Sequence, residues 1–188
     1  MGASAETRIV LWRRLDVPGH DACRIVRAGM EWTIEGMAVF MERGVPSSLR
    51  YRIVCDQGWV TRQGRLSGWA GPSTIDLAIA RDPNGRWSLN RIPLPELDGL
   101  ADLDLGFTPA TNMIAIRRMR LAEGEHSQII AAWLDPSDWK LKSLEQTYER
   151  VEQHIYDYRS PRHDFRARLR VDEFGVVVDY PGLWTAEQ

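Results

Sequence analysis

Two carboxylates stand two positions apart in the run Leu100-Ala101-Asp102-Leu103-Asp104-Leu105-Gly106-Phe107. If the run is extended, Asp102 and Asp104 project from one face, and Leu103 and Leu105 from the other. Such a pair can do acid–base work on a glycoside. It can accept strong hydrogen bonds from sugar hydroxyls, or contribute to a hard-cation site. It can equally form a structural ion pair with Arg117 or Arg118. Other chemistry has less support. His20, His126, His154 and His163 fall in no metal-binding spacing. His20-Asp21 and His163-Asp164 are sequence neighbours, which is not the geometry of a triad. The chain contains no GxSxG elbow, P-loop or GxGxxG. Cys23 and Cys55 match no zinc motif or disulfide framework and read as small buried hydrophobes. No catalytic residue, metal ligand or cofactor is therefore assigned.

The rest of the chain must position that acidic run. Its 188 residues suit a single domain, residues 1–188, with a core of its own. A net charge of −2, with both signs interleaved, removes the electrostatic argument for nucleic acid or a polybasic membrane anchor. Residues 1–7 lack the apolar core of a signal peptide, and no apolar run reaches transmembrane length. The expectation is a cytoplasmic protein without integral membrane contact. Eight tryptophans are spread along the chain. They read first as core and sheet packing, and second as rings lining a pocket for sugar or acyl groups.

One pattern recurs three times: an apolar run, an Asp, a turn with Gly, and a second apolar run. It is centred on Asp56-Gln57-Gly58, on Asp82-Pro83-Asn84-Gly85 and on Asp172-Glu173-Phe174-Gly175. Asp opens such turns by bonding nearby backbone amides, and Gly supplies a positive φ. Repeated at short spacing, these are hairpins of an antiparallel meander. The cleanest strand sets Phe165, Ala167, Leu169 and Val171 against Arg166, Arg168 and Arg170. The stretch 91–100, with Pro93, Pro95 and Gly99, reads as a loop.

Two segments are ambiguous. In 108–120, Thr108-Pro109 suits a helix start and the arginines at the far end suit its C-terminus. Ile114, Ile116 and Arg118 also alternate, so the reading is a short helix running into a strand. In 141–158, Leu141, Leu144, Tyr148, Val151, Ile155 and Tyr158 repeat at three and four. With Ser143 and Gln146 as a capping box, periodicity reads this as an amphipathic helix. Tyr156-Asp157-Tyr158, running into Ser160-Pro161, opposes it.

The segment from Asp98 through Asp102-Leu103-Asp104, Thr108-Pro109-Ala110-Thr111-Asn112 and Ile116-Arg117-Arg118-Met119 resembles the signature of a bacterial family of unknown function. That family is named "putative glycolipid-binding". Trp12-Arg13-Arg14-Leu15-Asp16, Tyr156-x-Tyr158-x-Ser160, Phe165-x-Ala167-x-Leu169 and Asp179-Tyr180-Pro181-Gly182-Leu183-Trp184 resemble it too. The likeness runs over about residues 12–184. It implies a mainly β fold: a large curved antiparallel sheet wrapped around a single helix, remotely like bacterial lipoprotein-carrier half-barrels. It implies a homodimer, an acidic pocket for a glycolipid or sugar, and no known catalysis. Ala115 and Met119 depart from the family's usual Pro and Leu, and Ala115 makes a continuous helix easier. The family often carries Gly near Glu152. The resemblance thus implies a hairpin, with strands 145–151 and 154–160, in place of the second helix.

Together these readings give an expected function: non-catalytic binding of a small amphipathic ligand, a glycolipid or its sugar head group, in the hollow of a curved sheet. The expected ligand-binding residues are Asp102, Asp104, Asn112, Arg117, Arg118, Tyr148, Tyr156 and Tyr158. The carboxylates and Asn112 would take hydroxyls, the arginines would balance charge or contact a phosphate, and the tyrosines would stack on sugar. A hydrolase or isomerase acting on a sugar derivative is the alternative, with Asp16, Glu31, Glu35 or Asp179 as the second acid. A dimeric scaffold without ligand is the third reading.

Overall fold

The protein is described by a computed structural model, which covers residues 6–187. Residues 1–5, which carry most of the signal-peptide reading, lie outside the described residues. Eight strands come first: β1 (Thr7–Arg14), β2 (Gly19–Ala28), β3 (Glu31–Glu42), β4 (Val45–Asp56), β5 (Thr61–Ala70), β6 (Ser73–Arg81), β7 (Trp87–Leu89) and β8 (Ile92–Pro93). The chain then crosses through β9 (Leu103–Leu105) to the helix α1 (Asn112–Met119). It returns as β10 (His126–Asp135), β11 (Lys140–Glu152), β12 (Ile155–Ser160), β13 (Phe165–Val171), β14 (Val177–Tyr180) and β15 (Trp184–Glu187).

The fifteen strands of the described residues form one curved open sheet. β1 to β8 run outward in chain order on one side, β15 back to β9 on the other, and β1 pairs with β15 in the middle. Every pairing is antiparallel except β9 with β10. The mainly β expectation holds, with that one parallel pair added. Locality explains the order: each hairpin pairs with the strand just made, which costs least in loop closure. Among the described residues, no helix is long and apolar enough to cross a membrane.

The crossing segment fills the hollow of the sheet. Leu97, Leu103, Leu105 and Phe107 are buried, as are α1 residues Met113, Ile114, Ala115 and Ile116. The helix buries an unbroken run from Asn112 to Ile116, which sets its first turns inside the core. Phe107 packs on Phe40, Tyr51 and Trp139, with ring centroids 5.8–6.1 Å apart. At another point of the core Trp32 stacks on Trp59 at 4.6 Å, and Phe174 meets both edge-on.

The three Asp turns share one geometry. The Oδ1 of Asp56, Asp82 and Asp172 accepts from the backbone amides two and four residues on, at 2.8–3.0 Å. Gly85 and Gly175 carry the positive φ as expected. In the first turn Trp59, not Gly58, is left-handed, with φ 67°. Burial of that indole against Trp32 and Phe174 offsets the local strain.

The ambiguous segments resolve as follows. The helix of 108–120 ends at Met119 on a left-handed Arg120, and the next strand begins only at His126. No strand falls inside 108–120, so that part of the expectation is corrected. The amphipathic helix over 141–158 is corrected to the β11–β12 hairpin that the resemblance implied. Leu144, Gln146 and Tyr148 alternate inward, and Ser143 and Gln146 are strand residues rather than a cap. Packing on the sheet overrode the helical period. The stretch 91–100 is a loop holding the two-residue β8 and a 3-10 turn, Pro95–Leu97.

Candidate functional site

Asp102 and Asp104 both address the helix segment, seven residues apart on it. Asp102 forms a bidentate pair with Arg118, at 2.7 and 2.6 Å. Asp104 Oδ1 accepts from Thr111 Oγ1 at 2.9 Å and its Oδ2 from Gln146 Nε2 at 2.6 Å. Leu105 N donates to the same Thr111 Oγ1 at 3.1 Å. β9 and the residue before it therefore hold the start of the helix through Asp104 and its end through Asp102. Burial raises the Asp104 pKa, against the hydrogen bonds from Thr111 and Gln146.

Asp104 also lines a cavity of about 370 Å³ beside the start of α1. Its apolar wall includes Trp133 of β10, Tyr158 of β12, Phe165 of β13, Tyr180 of β14 and Trp184 of β15. Tyr158 lies 5.0–6.2 Å from Tyr148, Phe165 and Tyr180, so the rings form a continuous surface. Its polar groups are Asp104, Thr108, Asn112, Asp135, Ser160 and His163. Burial raises the pKa of Tyr158 and Tyr180, which keeps both hydroxyls protonated at neutral pH. Trp133 meets His163 edge-on at 5.1 Å. A Cβ at Gly106 would come 2.5 Å from Trp133 Nε1, so the missing side chain lets the indole lie over this loop. Asp135 is committed to Lys142 at 2.7 Å and to Ser137 N at 2.8 Å. Ser160 Oγ is buried and makes no hydrogen bond of normal geometry, although the Tyr158 hydroxyl is a neighbour.

The expected site residues thus divide. Asp104, Asn112 and Tyr158 meet at this cavity. Tyr148 is fully buried behind it and takes a hydrogen bond from Asn112 Nδ2 at 2.9 Å. Arg117 and Tyr156 line a second cavity at the other end of α1. Asp102 and Arg118 line neither. Asp16, Glu31, Glu35 and Asp179, the second acids of the hydrolase reading, all lie outside the first cavity. Sequence reasoning did not single out Trp133, Ser160, His163, Phe165, Tyr180 or Trp184 as site residues. The signal was present for most of them: Ser160, Phe165, Tyr180 and Trp184 all sit in family-like segments.

The family profile described as "Putative glycolipid-binding" matches residues 9–186. The chain belongs to that family. The fold is similar to that of a DUF1089 family protein from Pseudomonas aeruginosa, known from a 1.80 Å crystal structure. The two share 27% identity and a TM-score of 0.77, over 98% of this chain and 93% of that one. No curated protein matches the chain.

Proposed function

We propose that this member of the glycolipid-binding family binds an amphipathic small molecule, without catalysis, in the cavity beside Asp104. The ligand class is a glycolipid or its sugar head group. The observation that carries the reading is a cavity walled by aromatic rings and lined also by the polar groups Asp104, Asn112 and Ser160. Sugar hydroxyls would bond the polar groups, while the rings take the apolar faces of the sugar or the chain. Asp104 and Asn112 supply further hydrogen bonds beside Ser160. Octyl glucoside below its micelle-forming concentration is a suitable probe, followed by calorimetry. Saturable binding, weakened by Ser160→Ala and Asp104→Asn in folded protein, supports the reading. Absence of saturation with folded wild-type protein overturns it.

Within the same reading the protein is a cytoplasmic homodimer. Leu11 of β1 and Met37 and Val39 of β3 are exposed, with Ala22 of the intervening β2 paired to both Leu11 and Met37, and an apolar patch of this kind favours self-association. Light scattering of wild type and Met37→Glu checks it, with a dimer turning monomeric as the expected result.

A further inference from the structure

The second cavity, of about 490 Å³, lies where the C-terminal end of α1 meets the tip of the β11–β12 hairpin and the β13–β14 turn. Three arginines converge on it: Arg117 and Arg120 from the helix end, and Arg150 from β11. Among the described residues, none of the three is in an ion pair. Arg118, next in sequence, is fully paired with Asp102.

The Arg117 guanidinium lies 4.5 Å from the Phe174 ring centroid and 5.4 Å from that of Trp59, and its Nε is buried without a partner. A Cβ at Gly175 would sit 3.3 Å from Arg117 Cδ, so this glycine, at φ +96°, leaves the side chain its path. Arg150 is held in place by Leu121 O at 2.8 Å and Gln153 O at 2.7 Å, yet its Nε is also buried and unpartnered. Arg120 is exposed and repels Arg117, while Glu6 and Asp172 attract it from beyond pairing distance. Asp172 and Glu173 also line the cavity, but Asp172 Oδ1 is occupied by the amides of Phe174 and Val176. Arginines at a helix end suit the helix dipole, which accounts for Arg117 and Arg120. It does not account for Arg150, which comes from a strand, or for two unpartnered Nε groups at one cavity.

We propose that this second cavity binds a phosphate group, with Arg117, Arg120 and Arg150 as its donors. Guanidinium groups from three directions fit a tetrahedral oxyanion, whereas a planar carboxylate is met by a single fork. Bound phosphate would relieve the repulsion between Arg117 and Arg120. His154 at the rim adds a further donor. The site stands apart from the first cavity, so the two readings fail independently.

The test uses the full chain with three probes: inorganic phosphate, glycerol 3-phosphate, and phosphatidylglycerol vesicles against phosphatidylcholine vesicles. Titration calorimetry and the NMR signals of the arginine Nε groups report on the site. The expected result is saturation with a shift of the Arg117 and Arg150 Nε signals. Saturation by the soluble probes marks a free phosphate ester as the natural source. Saturation only by phosphatidylglycerol vesicles marks a lipid head group. Arg120→Gln, on an exposed side chain, should weaken binding about tenfold with unchanged Tm. Arg117→Lys should do the same while keeping its charge, and Ser160→Ala should change nothing. Failure of every probe to saturate the wild type overturns the proposal. So does binding that is equal in wild type, Arg120→Gln and Arg117→Lys.

Discussion

Gln146 Nε2 donates to Asp104 Oδ2 at 2.6 Å, joining the inner face of β11 to the short strand that carries the acidic run. Gln146 is itself buried. The bond stabilises the ionised carboxylate in a place where burial disfavours it. Gln146→Leu should therefore destabilise the protein by about 1–3 kcal/mol at neutral pH. The loss should shrink as acid protonates Asp104, since a neutral carboxyl needs the donor less. Urea denaturation at two pH values measures both. An equal loss at both would remove Asp104 as the cause.

The Asp102–Arg118 pair is asymmetric, with side-chain exposures of 4% and 26%. Arg118→Met leaves a buried carboxylate alone and should cost roughly 3–5 kcal/mol. Adding Asp102→Asn should recover much of that loss, because the uncompensated charge is gone. A double-mutant cycle reads the coupling, and additive losses would contradict it.

Asp21 is fully buried beneath the helix approach. It accepts from Tyr51 at 2.9 Å and from Thr108 Oγ1, yet burial pushes its pKa up from 3.8 to about 6. A raised folded pKa means that the folded state holds the proton more tightly than the unfolded state. The resulting stability is present below pH 3.8 and is lost as pH rises through about 6. The difference is on the order of a few kcal/mol. Asp21→Asn should flatten this part of the stability profile between those pH values. A slope unchanged in the variant would assign it to another group.

Trp133 is partly exposed at the mouth of the first cavity, against His163. Trp133→Ala should weaken octyl glucoside binding roughly threefold to tenfold, the scale of one aromatic contact. Thermal melts should move little, because the ring is not in the central core. Unchanged affinity would exclude this ring from the binding surface.

How far the sequence carried the fold depends on the range of the interaction. The Asp turns at Asp56, Asp82 and Asp172 were legible because each is closed within four residues by its own side chain. The strand Phe165–Val171 was legible because its arginines and apolar residues alternate without a break. The hairpin 140–160 was misread from periodicity because inward Leu144 and Tyr148 happen also to be four apart. Only the family resemblance corrected it. Gln146, a buried glutamine, looked like a helix cap because its partner Asp104 is 42 residues away.

The sequence by itself determined a mainly β chain and its hairpin turns, since these follow from local alternation and local hydrogen bonds. Only the tertiary structure decided what the acidic run does. It turned Asp102 to Arg118 and Asp104 to the cavity, and it sent the neighbours Arg117 and Arg118 to different places. Residues one or two apart part company when the chain enters the hollow of the sheet. There the partners are set by which distant strands curl round to meet them, and no local spacing encodes that.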